Sequence, residues 1–129
     1  MKAALIVGLG SFIGGSLRYL SIVWIERKLE SPFPAGILFV NIVGSFLIGL
    51  VTPGLERIAW NGEPLVPLFL TAGVMGGFTT FSAYSFQTLK LAQAGHWGMA
   101  LLNALASVAC CLLSVFAGMK LGQLLFPSS

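Results

Sequence analysis

Four stretches of apolar residues follow one another along the chain, and each is long enough to cross a lipid bilayer. A membrane-spanning helix needs about 20 mostly apolar residues. The predicted spans cover residues 3–26, 34–55, 65–90 and 96–125. Proline, glycine and charged residues are concentrated at the ends of the spans and in the short connectors, as in the stretch from Pro53-Gly54 through Asn61-Gly62 to Pro64. Because the connectors are short, neighbouring helices should be antiparallel. The pattern therefore predicts an all-α membrane protein with one four-helix domain over residues 1–129.

The first span could instead be a cleaved signal peptide, because Lys2 precedes its apolar run. The run is longer than the usual apolar region of about 7–15 residues in a signal peptide, and it contains Arg18. Both features favour a spanning helix that stays in the protein.

The third span contains a sequence that is unfavourable in the middle of a helix. Gly76-Gly77 is followed closely by Thr79-Thr80, and both glycine and β-branched residues lower helix stability. One interpretation is a helix broken at Gly76–Thr80, whose freed backbone groups line a cavity or bind an ion. The alternative is an intact helix that uses its glycines for close packing. Small-residue pairs at helix-packing spacing, such as Gly10 with Gly14, support helix association in either case.

The composition supports a membrane protein and excludes several other classes. Charged residues make up 9% of the chain and hydrophobic residues 57%, whereas soluble domains carry about 25% charged residues. Such a chain is neither disordered nor suited to an aqueous surface. The net charge of +3 is too small and too scattered for a nucleic-acid partner. The two adjacent cysteines, Cys110 and Cys111, give neither a disulfide framework nor zinc-ligand spacing.

The positive charges are divided almost evenly between the two sides of the membrane. One side would carry Lys2, Arg57 and Lys120, and the other Arg27, Lys28 and Lys90. The positive-inside rule therefore has little asymmetry to act on. Two outcomes stay open, namely an antiparallel dimer of oppositely inserted copies and a weakly biased single orientation.

The polar residues inside the spans are neutral hydrogen-bonding groups rather than acids. They include Asn41, Ser45, Thr79, Thr80, Ser82, Tyr84, Ser85, Gln87, Asn103, Ser107 and Ser114. Hydroxyl and carboxamide groups can donate to an anion without a fixed charge that would hold it tightly. Aromatic ring edges carry partial positive charge and can also face an anion. This set favours conduction or transport of an anion, although ordinary packing and bonds to backbone carbonyls could account for individual members.

Two other function classes fit the sequence less well. A small multidrug-type four-helix exporter needs an acid within the membrane, but the four carboxylates, Glu26, Glu30, Glu56 and Glu63, all lie in connectors or directly at their edges. A non-transporting membrane scaffold subunit would conduct no ion by itself. An enzyme is not expected, because the sequence offers no nucleophile–base pair or metal cluster.

Three local motifs bring the whole chain close to one known family. They are GGSLRY at 14–19, NIVGSFLIG at 41–49 and GVMGGFTTFSAYS at 73–85. With these motifs the chain resembles the Fluc (CrcB-type) fluoride channels. The resemblance implies a passive, fluoride-selective channel that exports cytoplasmic fluoride and lowers its toxicity. It also implies an antiparallel, dual-topology homodimer in the plasma (inner) membrane of a prokaryote.

The resemblance also implies roles for individual residues. Its fluoride pathway would include Asn41, Phe81, Tyr84, Ser82, Thr80, Ser107 and Asn103. The backbone carbonyls of Gly76 and Thr79 would bind a structural sodium ion (Na+) at the dimer centre. Arg18 matches an arginine of the family's first helix, with either a vestibule or a structural role. Tyr84 stands where the family usually has phenylalanine, and Asn103 where it often has tyrosine.

Overall fold

The computed structural model describes residues 1–60 and 64–127, and all regular secondary structure in these residues is helical. Three long helices are continuous: α1 (Lys2–Leu29), α2 (Ala35–Trp60) and α6 (Trp97–Leu125). The third span is divided into α3 (Leu65–Leu68), a π-helical segment (Phe69–Met75), α4 (Gly76–Phe78) and α5 (Phe81–Gln93). The described residues thus contain four helical spans long and apolar enough to cross a membrane. The predicted all-α membrane class is confirmed.

Helix α2 is longer than the sequence indicated. Pro53-Gly54 was predicted to begin the second connector, but the helix continues through it to Trp60. Pro53 has no N–H to donate to the preceding turn, and the Thr52 hydroxyl donates to the carbonyl of Ile48, 2.6 Å away, in that same turn. Helices in membranes tolerate proline where side chains and neighbouring helices satisfy the backbone. Asn61-Gly62 and Glu63, predicted for the same connector, lie outside the described residues.

The end of α1 follows from its local sequence. Glu30 caps the helix in the left-handed conformation, with φ of 40°. Arg27 and Lys28 lie in the last turn, where positive charge interacts favourably with the helix dipole. Pro32 and Pro34 then follow, and neither could continue the helix.

Glycines in α1 allow the third span to approach its backbone closely. A Cβ on Gly10 would lie 2.6 Å from the carbonyl oxygen of Phe69, and a Cβ on Gly14 would overlap the carbonyl of Val74. On the other side of this interface, a Cβ on Gly77 would lie 2.6 Å from the carbonyl oxygen of Ser11. Backbone therefore meets backbone along this contact, which is the packing expected of small-residue motifs in membranes.

Helices α2 and α6 form the most extensive helix contact in the described structure. Gly49 of α2 meets the backbone of α6 at Val115, and Gly118 of α6 meets α2 at Phe46. Together with the contact between α1 and the third span, this pairing leaves the break in the third span facing α2 and α6. The larger apolar side chains on the outer faces are exposed, as expected for surfaces that contact lipid.

The break in the third span is present but narrower than predicted. Gly76 is helical, and the interruption consists of Thr79 and Thr80, which are both extended. The prediction of a break over Gly76–Thr80 is therefore corrected to its last two residues. Close glycine packing, the alternative interpretation, also occurs in this span at Gly73 and Gly77. The two interpretations were not exclusive, because the glycines face α1 while the threonines follow them.

Candidate anion groove

Asn41 of α2 binds both backbone polar groups of Thr80 at the break. Its Oδ1 accepts the Thr80 N–H at 2.8 Å, and its Nδ2 donates to the Thr80 carbonyl at 3.1 Å. The Thr80 hydroxyl in turn accepts the N–H of Ala83 and caps the first turn of α5. Unpaired backbone groups are costly in hydrocarbon, so the Asn41 carboxamide replaces the helical hydrogen bonds that Thr80 lacks. One further Nδ2 hydrogen of Asn41 can still be donated.

Arg18 also reaches the break, from α1. Its Nη1 donates to the carbonyl of Thr79 across 3.3 Å, and the side chain is half-buried. The sequence left a vestibule role and a structural role open for Arg18, and in the structure its guanidinium lies at the break itself. A positive charge therefore lies beside the break.

A groove of about 440 Å³ runs along the break between the third span, α2 and α6. Its polar lining residues are all neutral: Asn41, Ser45, Thr71, Thr79, Thr80, Tyr84 and Ser107. Apolar side chains such as Ile48 and Leu112 make up much of the remaining lining. A groove with this lining offers a few hydrogen-bond donors within largely apolar walls.

Two aromatic rings line the groove just beyond the break. Phe81 and Tyr84 have ring centroids 5.2 Å apart and ring planes inclined by 49°. The Tyr84 hydroxyl points toward α6, where it donates to the Ala104 carbonyl across a long 3.4 Å. The hydroxyl that distinguishes this residue from phenylalanine is therefore directed at the backbone of α6. Phe81 is 77% exposed in the single chain.

The groove collects most of the residues predicted for an ion pathway, but not all of them. Asn41, Thr80, Phe81, Tyr84 and Ser107 line it, together with Gly76 and Thr79. Two others, predicted for the same pathway, are placed differently. Ser82 is exposed, with its hydroxyl 3.3 Å from that of Thr80. Asn103 is completely buried behind the groove, between α5 and α6.

Sequence reasoning missed two threonines of this region. Thr71 lines the groove within the π-helical segment, and Thr88 accepts a hydrogen bond from Asn103 Nδ2 at 2.7 Å. Thr88 follows Tyr84 by four residues, so helical spacing places both on one face of α5. That spacing was the available signal for Thr88. Thr71 precedes the break by two helical turns and had no comparable signal.

A protein-family model described as "CrcB-like protein, Camphor Resistance (CrcB)" matches residues 5–119. This match extends over all four helical spans. The chain belongs to the CrcB family. The family resemblance inferred from the three sequence motifs is thereby confirmed.

Several curated relatives within the CrcB family cover almost the whole chain. A protein of Thermus thermophilus is 48% identical over 118 residues, which are 92% of this chain and 91% of that protein. A protein of Agrobacterium fabrum is 45% identical over 121 residues, or 94% and 96% of the two chains. One of Clostridium perfringens is 41% identical over 123 residues, or 95% of each. All three are named "Fluoride-specific ion channel FluC".

The resemblance to the CrcB family implies a sodium site at the backbone carbonyls of Gly76 and Thr79, and both residues lie at or next to the break. The Thr80 N–H donates to Asn41 rather than to the Gly76 carbonyl one helical turn earlier. The Thr79 carbonyl accepts a long bond from Arg18 and has a second lone pair. Both residues line the groove, and carbonyl oxygens are the ligands that ion channels use for monovalent cations. The donor set fits sodium, although one chain supplies too few oxygens to surround the ion.

Proposed function

We propose that this protein is a passive, fluoride-selective channel that exports fluoride from the cytoplasm. The main observation in support is the groove at the break, where neutral hydrogen-bond donors and two aromatic rings lie within apolar walls. The names of the three relatives support the choice of fluoride as the ion. The function is conduction rather than an enzymatic reaction, since no bond of the transported ion is made or broken.

The groove residues would replace the water that surrounds a fluoride ion. Asn41 has an Nδ2 hydrogen beyond the one given to Thr80, and the hydroxyl-bearing residues Thr80 and Ser107 also line the groove. The ring edges of Phe81 and Tyr84 would add weak positive potential to the groove. Conduction requires each position to hold the ion strongly enough to admit it and weakly enough to release it. Neutral donors and ring edges satisfy that requirement better than a fixed positive charge would.

We propose further that two copies of the chain, inserted in opposite orientations, form the working channel. In one chain the groove is open on one side and Phe81 is largely exposed. A second copy would cover this side and complete the wall of the pathway. The even distribution of Lys and Arg between the two membrane sides supports opposite insertion.

A structural Na+ ion is proposed at the centre of this dimer. The carbonyl oxygens of Gly76 and Thr79 from each copy would hold it, so that one ion would be shared by four oxygens. The ion would supply positive charge between the two breaks. Replacing sodium with a large organic cation should therefore lower both fluoride flux and the fraction of dimer after detergent extraction.

We propose the plasma (inner) membrane of a prokaryote as the location. The relatives named above come from bacteria, and this chain is a multi-pass membrane protein. Hydrogen fluoride crosses membranes as a neutral molecule and ionises inside the cell. A passive channel for the anion would then be sufficient to lower internal fluoride and its toxicity.

The decisive experiment is ion efflux from liposomes that contain the purified protein. Fluoride and chloride are recorded side by side with ion-selective electrodes, and empty liposomes serve as the control. Fast fluoride efflux without chloride efflux is expected. If folded, dimeric protein releases neither ion, the channel proposal fails and a scaffold role becomes the better explanation.

A further inference from the structure

Four polar groups form a continuous hydrogen-bonded series between α5 and α6, directly behind the groove. The Thr88 hydroxyl lies 2.8 Å from the Tyr84 carbonyl, and Asn103 Nδ2 lies 2.7 Å from the Thr88 hydroxyl. Asn103 Oδ1 faces the Ser107 hydroxyl across 3.5 Å. Ser107 lines the groove, so the series ends at a predicted pathway donor.

The number of hydrogens that each group can donate determines which group is donor and which is acceptor at every step of this series. The Tyr84 carbonyl can only accept, and the Thr88 hydroxyl has a single hydrogen, which it therefore donates to that carbonyl. The Thr88 oxygen then accepts from Asn103, so the NH₂ group of Asn103 must face Thr88. The carboxamide oxygen of Asn103 is consequently directed at Ser107. Asn103 is 0% exposed, so water does not compete for either end of its carboxamide.

This direction affects how Ser107 can interact with an anion. Ser107 also has one hydrogen, and its neighbour Asn103 Oδ1 is an acceptor, so the hydrogen is attracted away from the groove. The 3.5 Å separation is at the long limit of a hydrogen bond. The Ser107 hydroxyl can therefore turn and donate its hydrogen to an anion in the groove. The Ser107 oxygen and Asn103 Oδ1 then face each other with no hydrogen between them. That opposition weakens the interaction of Ser107 with the ion.

We propose that Thr88 and Asn103 are positioning residues that orient the Ser107 hydroxyl and weaken its hold on the transported fluoride. The inference rests on the proposed fluoride channel. It gives Thr88 and Asn103 a role in conduction that does not require either residue to contact the ion. A donor weakened in this way releases the ion readily, which favours conduction over retention.

The substitution Thr88→Val tests the proposal, because valine keeps the shape of threonine but can neither accept nor donate. Asn103 can then turn its carboxamide and donate to the Ser107 oxygen, which leaves the Ser107 hydrogen free for the groove. The half-saturating fluoride concentration for efflux should fall by about three- to fivefold, as expected for one strengthened hydrogen bond. The maximal efflux rate should fall as well, because the ion leaves more slowly.

Two matched variants separate this effect from a general loss of structure. Thr52→Val removes a hydroxyl that bonds to its own helix at Ile48, and it should leave the half-saturating concentration unchanged. Thr88→Ser keeps the hydroxyl and should behave like the unaltered protein. In a Ser107→Ala background, Thr88→Val should no longer change the half-saturating concentration. An equal change with and without Ser107 would overturn the proposal and indicate a structural role for Thr88.

A measurement on the unaltered protein covers the case in which Thr88→Val does not fold. The chain has three asparagines, so NMR of protein labelled with ¹⁵N-asparagine can resolve the side-chain amide of Asn103. Its Nδ2 hydrogens should show contacts to the Thr88 methyl group. Contacts to the Ser107 methylene instead would reverse the direction of the series and refute the proposal.

The failure of this inference is distinguishable from failure of the proposed function. Absence of fluoride efflux from the unaltered protein would refute the channel, whatever the NMR result. Normal fluoride efflux with an unchanged half-saturating concentration in Thr88→Val would leave the channel intact and refute only the positioning role.

Discussion

At the scale of single residues, Asn41 has both a predicted role in the ion pathway and a structural role at the break. The sequence marked it as an ion-pathway residue, but its structural partners are the N–H and carbonyl groups of Thr80. Both ends of the carboxamide are needed for this pairing. Leucine, which has a similar volume, would leave both backbone groups of Thr80 without their partner.

We expect Asn41→Leu to reduce fluoride efflux by more than tenfold and to lower the free energy of unfolding by about 1–3 kcal/mol, the range for unsatisfied buried polar groups. Efflux from liposomes and thermal unfolding in detergent would measure the two effects. Ser16→Ala is the control, because Ser16 is exposed and bonds only within α1, to Phe12, in the described structure. Unchanged unfolding in Asn41→Leu would contradict the proposed pairing with Thr80.

Tyr84 allows a test of whether the aromatic ring or the hydroxyl supports conduction. Its hydroxyl makes only a long bond to the Ala104 carbonyl, whereas its ring lies against Phe81 and lines the groove. Tyr84→Phe should therefore keep fluoride efflux within about twofold, since a weak neutral hydrogen bond contributes little. Tyr84→Leu should lower efflux severely. Loss of conduction in Tyr84→Phe would show that the hydroxyl, not the ring, is the working group.

At the scale of elements, the third span is positioned by glycine contacts with α1. These contacts bring backbone against backbone, so the neighbouring helix cannot move aside by a side-chain rotation. The break at Thr79 and Thr80 is held in place between this contact and the α2–α6 pair. Its geometry thus depends on residues that do not line the groove.

Gly14→Ala should test this dependence. The added Cβ would overlap the carbonyl of Val74, and overpacking of this kind lowers stability by about 1–3 kcal/mol. Gly8→Ala, where a Cβ meets no heavy atom within 4 Å, is the matched control in the same helix. We expect a lower unfolding temperature and lower fluoride efflux in Gly14→Ala alone. Equal behaviour of the two variants would argue against close packing at Gly14.

At the scale of the whole molecule, the open groove and the balanced charges both bear on the proposed antiparallel dimer. One chain leaves Phe81 exposed beside the groove, and its Lys and Arg distribution gives insertion little direction. An antiparallel pair would account for both observations. The orientation of the chain in the membrane is therefore the property to measure.

Cysteine labelling can measure it in a background in which Cys110 and Cys111 are replaced by alanine. Ser31→Cys would place a thiol in the exposed first connector, and Lys2→Cys at the opposite end of α1. For dual topology, a membrane-impermeant maleimide applied from outside should label about half of each variant, because inverted copies balance in an antiparallel dimer. Complete labelling of one variant and none of the other would establish a single orientation.

The sequence by itself determined the four spans, because their length and apolarity suit a bilayer and the connectors concentrate proline and charge. It also located the interruption of the third span, since glycines and threonines disfavour a continuous helix there. The sequence also predicted that the polar groups of the pathway are neutral, because this property depends only on residue types. The family motifs extended these conclusions to a specific kind of channel.

Only the tertiary structure decided which polar groups meet. Asn41 pairs with Thr80, Arg18 reaches Thr79, and Asn103 turns toward Thr88 behind the groove. Residue spacing identifies the groups that share a face of one helix, but it does not give the rotation of that helix relative to its neighbours. That rotation is set by the glycine contacts between backbones, together with the π-helical segment that alters the register of the third span before its break.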